Sequence, residues 1–157
     1  MSTPRLLPNN KVETPESLTS SRLSKSRPNY HILLVEDNLI NQKVLSKQLR
    51  TAGCVVHVAN HGGECLDFLS KTILWNDCQG CGQAMNISLI LMDLEMPIMD
   101  GLACTRRIRD LEREGKVSGH VPIIAVTANT RTEQLDMALV SGMVRLKIIP
   151  HDEISQY

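Results

Sequence analysis

Residues 90–101 read ILMDLEMPIMDG. An apolar run stops abruptly at Asp93, with Glu95 close behind and then Met96-Pro97. A carboxylate at the end of a buried strand is costly unless it is paired or bound to a cation. The stretch therefore reads as a strand whose open end carries chemistry.

The segments on either side repeat the same plan. HILLVED (residues 31–37) is a short apolar run ending in Glu36 and Asp37. A helical stripe follows, with Val44, Leu45, Leu49 and Ala52 on one side and Gly53 as a stop. CVVHVA is a second strand, and GGECLDFLSKTIL places Cys65, Leu66, Leu69 and Ile73 at helical spacing. ISLILMD is the third strand, and GLACTRRIRDLEREG a charged helix with Leu102, Ile108 and Leu111 inward. VPIIAVTA is the fourth strand. Thr130-x-x-Glu133 resembles a capping box opening the helix TEQLDMALVSG, and MVRLKII is a fifth strand before Pro150.

Strands alternate with helices, which argues for a parallel sheet covered on both faces. Burial on both faces also explains why the strands are continuous apolar runs. The expected fold is α/β, a doubly wound, flavodoxin-like sheet of five strands in the order 2-1-3-4-5. Residues 1–29, rich in Pro, Ser and Thr and without apolar period, read as a disordered leader or linker. The folded domain spans residues 30–150, and 151–157 form a short tail.

Composition narrows the function classes. Among 157 residues, 17 Lys+Arg balance 17 Asp+Glu, so no global charge points to nucleic acid or to an anionic membrane. No run approaches the roughly 18 apolar residues of a membrane span. Five cysteines, an odd number lying mostly in apolar segments, suit a reducing compartment, and the chain reads as cytoplasmic or nuclear. Cys78-x-x-Cys81 with His57 and His61 is a weak zinc signal, because His57 falls in a strand.

In a sheet of this order, strands one and three are neighbours and their carboxyl ends flank the switch point where ligands bind. Glu36, Asp37 and Asp93 would converge there and repel one another without a cation. Oxygen ligands with no Cys or His favour Mg²⁺, which joins carboxylates to a phosphate. Thr127 ends the fourth strand, so its hydroxyl can face the same crevice. These groups suit phosphoryl transfer onto Asp93 itself.

The ordered set LLVEDNLINQKV, ANHGGECL, LILMDLEMPIMDG, VPIIAVTAN and EQLDMALVSGM resembles the receiver domain of two-component response regulators. The resemblance covers residues 31 to about 143 and is greatest to receivers of fungal or plant hybrid histidine kinases. It implies that Asp93 is the phosphoacceptor, that Glu36 and Asp37 hold Mg²⁺, and that the backbone carbonyl of Glu95 completes the metal shell. It implies that Thr127 binds a phosphoryl oxygen and that Glu95 and Asn129 tune hydrolysis. The implied partner is a histidine kinase or a histidine phosphotransfer protein.

The family carries a Lys-Pro pair near its end, the lysine pairing with the phosphoryl group. Pro150 is present here, but Ile149 occupies the lysine's place. Lys147, two residues earlier and so on the same strand face, is the candidate substitute. No fifth helix is expected after this strand. That would leave apolar side chains of strands one, four and five uncovered and favour self-association. With no ATP-binding motif or phosphorylatable-His segment, this chain alone is not a kinase. Its activity would be limited to Mg²⁺-dependent self-phosphorylation and slow hydrolysis. A degenerate receiver acting only as an interaction module is the alternative.

Overall fold

The computed structural model describes residues 29–76, 85–127 and 132–148. Five strands form one sheet: β1 (His31–Val35), β2 (Val55–Ala59), β3 (Leu89–Asp93), β4 (Ile123–Thr127) and β5 (Arg145–Ile148). Their order is β2-β1-β3-β4-β5 and every pairing is parallel. The helices between them are α1 (Leu39–Thr51), α2 (Gly62–Leu69), α3 (Gly101–Arg113) and α4 (Thr132–Val140). This is the doubly wound sheet expected from the alternation of segments.

Period-two alternation sends successive strand residues to opposite faces. Leu33, Val35, Ile90 and Met92 pack with Cys65 and Ile108 in the larger core, under α2 and α3. Ile32, Leu34, Leu91 and Val126 pack with Leu45 in a smaller core, under α1. The bare patch expected on this second face is not present on strands one and four. Ile32, Leu34 and Val126 are each 4% exposed or less and cluster with Leu45 and Leu49 of α1, with Ile124 half-buried beside them. Residues 149–157, where a fifth helix would begin, lie outside the described residues, as do Thr130 of the expected capping box, Cys78 and Cys81.

Helix α2 is shorter than its apolar spacing suggested, and Ile73 is exposed. The Thr72 hydroxyl donates to the Leu69 carbonyl at 2.7 Å and accepts from the Leu74 N–H. Thr72 then makes a bridge to Met85. The side chain thus ends the helix by offering its backbone another partner.

Helix starts are set by caps. Asn38 Oδ1 accepts from the N–H groups of Ile40 and Asn41 at 2.9 and 3.2 Å, and Asp100 Oδ1 from Ala103 at 2.7 Å. His61 uses its Nδ1 to accept from Gly63 and Glu64 at the start of α2. Those are ordinary N-cap roles, and they place the beginnings of α1 and α3 beside the ends of β1 and β3.

Candidate metal and phosphoacceptor site

Val35 lies opposite Met92 in the β1–β3 register. The next residues, Glu36 and Asp93, therefore leave neighbouring strands at the same level. Asp37 follows in the turn to α1. One carboxylate oxygen from each of Glu36, Asp37 and Asp93 lies within 4.8 Å of the others. Glu36 is buried, Asp93 half-buried and Asp37 exposed, so the cluster opens from the sheet toward solvent.

Glu36 is held from two sides. Its backbone N–H donates to the Ala59 carbonyl at 3.0 Å, extending the β1–β2 ladder by one rung. Its Oε1 accepts from the Asn38 N–H at 3.2 Å and from Asn41 Nδ2 at 3.1 Å. The Gln42 side-chain amide donates to the Glu36 carbonyl and to Asn60 Oδ1. One turn of α1 thereby fixes a carboxylate that its acidic neighbours would displace. Sequence reading did not single out Asn41 or Gln42. Their i+5 and i+6 spacing from Glu36 becomes meaningful only once a helix begins at Leu39.

The electrostatics record the strain of that convergence. Burial and then the Glu36 charge push the Asp93 carboxyl up to about 7, against backbone hydrogen bonds from Glu95 and Leu94. Burial also raises Glu36, opposed by Asn41 and Asn38, with Asp37 adding repulsion. Two carboxylates kept above their ordinary range by desolvation and by neighbouring acids are a donor set that a cation relieves. With oxygen donors alone, the fitting cation is hard, as Mg²⁺ is.

The loop after Asp93 is tightly placed. The Glu95 N–H donates to Asp93 Oδ1 at 3.4 Å, and Gly101 N–H to the Leu94 carbonyl at 3.2 Å. Ile98, in this loop, is 86% exposed at a φ of 70°. Leu39 and Ile40, at the other rim of the cleft, are also exposed.

Thr127 ends β4, one position past Val126, and Val126 lies opposite Asp93. Val126 also lies opposite Lys147. The Lys147 backbone is thus level with Asp93 but two strands away, roughly 9–10 Å at normal interstrand spacing. The side chains of Thr127 and Lys147, and all of Asn129 and Ile149, lie outside the described residues.

A parallel α/β sheet with a carboxylate cluster at its switch point defines the class as a doubly wound domain whose cleft carries oxygen donors suited to a hard cation. Residues 32–153 match the model of the response regulator receiver domain, and the chain belongs to that family. It is 39% identical over 117 residues to hybrid signal transduction histidine kinase I of Dictyostelium discoideum, matching over 71% of this chain and 6% of that protein. The receiver domain of the histidine kinase CKI1 from Arabidopsis thaliana, solved with Mg²⁺ and BeF₃⁻, superposes with a TM-score of 0.65 at 30% identity. That match covers 76% of this chain and 80% of the other. The Saccharomyces cerevisiae complex of the histidine phosphotransfer protein Ypd1 with the receiver domain of Ssk1 matches at a TM-score of 0.64 and 28% identity, covering 78% and 80%. The chain spans a small part of the curated relative's length, and among the described residues no helix is long and apolar enough to cross a membrane.

Proposed function

We propose that this receiver accepts a phosphoryl group onto Asp93 from a phosphohistidine of a histidine kinase or a histidine phosphotransfer protein. The observation that carries the reading is the Glu36, Asp37 and Asp93 cluster at the carboxyl ends of β1 and β3. Glu36, Asp37, Asp93 and the Glu95 carbonyl would hold Mg²⁺. The bound ion would neutralise the carboxylates and the incoming phosphoryl oxygens.

The protein groups do the rest. An oxygen of Asp93 bonds to phosphorus as the P–N bond of the phosphohistidine breaks, and the imidazole takes the P–N electron pair and leaves neutral, keeping the proton already on its other ring nitrogen. Asn38 and Asn41 keep Glu36 in place during this change of charge. Thr127 supplies a hydroxyl donor from the end of β4, and Lys147 a cation from β5. Exposed Leu39, Ile40 and Ile98 give the rim an apolar character suited to a docked protein. Cys54, Cys65 and Cys104 are free thiols, as a reducing, cytoplasmic setting would have them, and residues 30–150 would act as one domain.

Transfer of ³²P from a phosphorylated phosphotransfer protein tests this. Wild type becomes labelled in Mg²⁺ and loses the label with chelator, while Asp93→Asn stays unlabelled. Binding of the partner without any transfer would instead favour the interaction-module reading.

A further inference from the structure

The end of β2 grips Glu36 by both of its main-chain groups. Ala59 accepts from the Glu36 N–H at 3.0 Å. The next residue, Asn60, reaches the Glu36 carbonyl through Gln42 of α1. Gln42 Nε2 donates to that carbonyl and, at 2.8 Å, to Asn60 Oδ1. Asn60 is held in turn from α2. Its backbone N–H and its Nδ2 both donate to Glu64 Oε2 at 2.8 Å. These two bonds keep the Glu64 carboxyl below its ordinary range, so it stays an ionised acceptor.

The two ends of an amide side chain differ: one donates and the other accepts. Glu64 accepts, so it takes the donor end of Asn60 and leaves Oδ1 aimed at the Gln42 donor. Glu64 therefore orients Asn60, Asn60 holds Gln42, and Gln42 fixes the main chain of Glu36. Asn60 is exposed, so no packed core demands an asparagine there. Outer partners that orient a metal's ligands typically set about tenfold or more of its affinity. We propose that Asn60, oriented by Glu64, is a positioning residue that holds Glu36 for Mg²⁺ through Gln42. The inference rests on the Mg²⁺ reading above and extends control of that site to β2 and α2.

Calorimetric Mg²⁺ titration in about 0.5 M KCl, where distant charges are screened, is the test. Asn60→Ala should weaken Mg²⁺ about threefold to tenfold, a modest loss because Asn60 acts at one remove from the ligand. Gln42→Ala should lose at least as much. Adding Asn60→Ala to Gln42→Ala should change affinity by less than about twofold, since both break one chain of bonds. Glu64→Ala should match Asn60→Ala. Glu64→Gln keeps a carbonyl oxygen that accepts and should bind within about twofold of wild type. That rescue separates hydrogen bonding from charge. Wild-type affinity in Asn60→Ala overturns the proposal. So do losses that multiply in the double variant, or Glu64→Gln binding as weakly as Glu64→Ala. A wild type that binds no Mg²⁺ instead overturns the metal reading, and this inference with it.

Discussion

Gly101 packs against the backbone carbonyl of Asp93 so closely that a methyl group on its α-carbon would overlap that oxygen. The same methyl would lie 2.9 Å from Met92 Cγ. The first residue of α3 is thus pressed against the end of β3, and only a residue without a side chain fits.

Gly101→Ala should therefore push α3 away from the acceptor strand. Overpacking of this kind costs about 1–3 kcal/mol, read as a lower urea midpoint with an unchanged slope. Because the displaced carbonyl belongs to Asp93, Mg²⁺ affinity should fall in the same variant. An unchanged midpoint would show that the loop yields freely.

Asp37 is the exposed member of the cluster, and its contribution is charge. Asp37→Asn should weaken Mg²⁺ at least about tenfold, since one charged oxygen ligand is lost from a site with few of them. Asn41→Ala acts one step back, releasing the Glu36 carboxylate it holds at 3.1 Å, and should cost roughly tenfold as well. Calorimetric Mg²⁺ titration of the three proteins measures both effects. Equal affinities throughout would rule out these carboxylates as the metal's ligands.

Without metal, the Asp93 carboxyl stands at about 7, whereas in an unfolded chain it titrates near 3.9. Between about pH 4 and pH 7 the folded protein keeps a proton that the unfolded chain has released. Stability accordingly falls as pH rises through that window, and the loss is complete above it. Asp93→Asn removes the penalty, so in chelator it should stabilise the protein at pH 8 by about 1–2 kcal/mol, solvent screening of the open cleft limiting the gain. At pH 4 the variant and wild type should unfold alike. Saturating Mg²⁺ should abolish the variant's advantage at pH 8.

The strands and their acidic ends were legible because burial on both faces leaves an unbroken apolar run, and a carboxylate closing such a run stands out. Glu36, Asp37 and Asp93 could be read together once the strand order was inferred. The end of α2 was not legible. Its apolar spacing continues to Ile73, and only the Thr72 hydroxyl bond to Leu69 shows where the helix stops. Gly101 was readable as the start of the third helix, but the need for glycine there comes from tertiary contact with Asp93. The Gln42–Asn60 bond joins residues that no local period relates, so no pattern in the chain announces it.

The last expectation concerns how β4 and β5, the strands bearing Thr127 and Lys147, are anchored at their starts. Glu112 of α3 accepts from Arg109 Nη1 at 2.6 Å and from the Val121 N–H at 2.8 Å, and meets His120 Nδ1 at 2.9 Å. Arg109 in turn donates through Nε and Nη2 to the Gly142 carbonyl at 3.0 and 2.7 Å. One ion pair, only 13% and 10% exposed, thereby fixes the chain two residues before β4 and three before β5. Glu112→Ala leaves the Arg109 charge and the Val121 N–H without this acceptor, a loss of about 3 kcal/mol for a pair so shielded from water. Glu114, the residue that caps the end of α3, pairs with Arg107 and Lys116 in the open, and Glu114→Ala should leave stability nearly unchanged. Hydrogen exchange should show the Glu112→Ala loss as faster opening of β4 and β5, with β1 and β2 less affected. If Glu112→Ala proves no worse than Glu114→Ala, the anchor is redundant and the strands are held by the sheet alone.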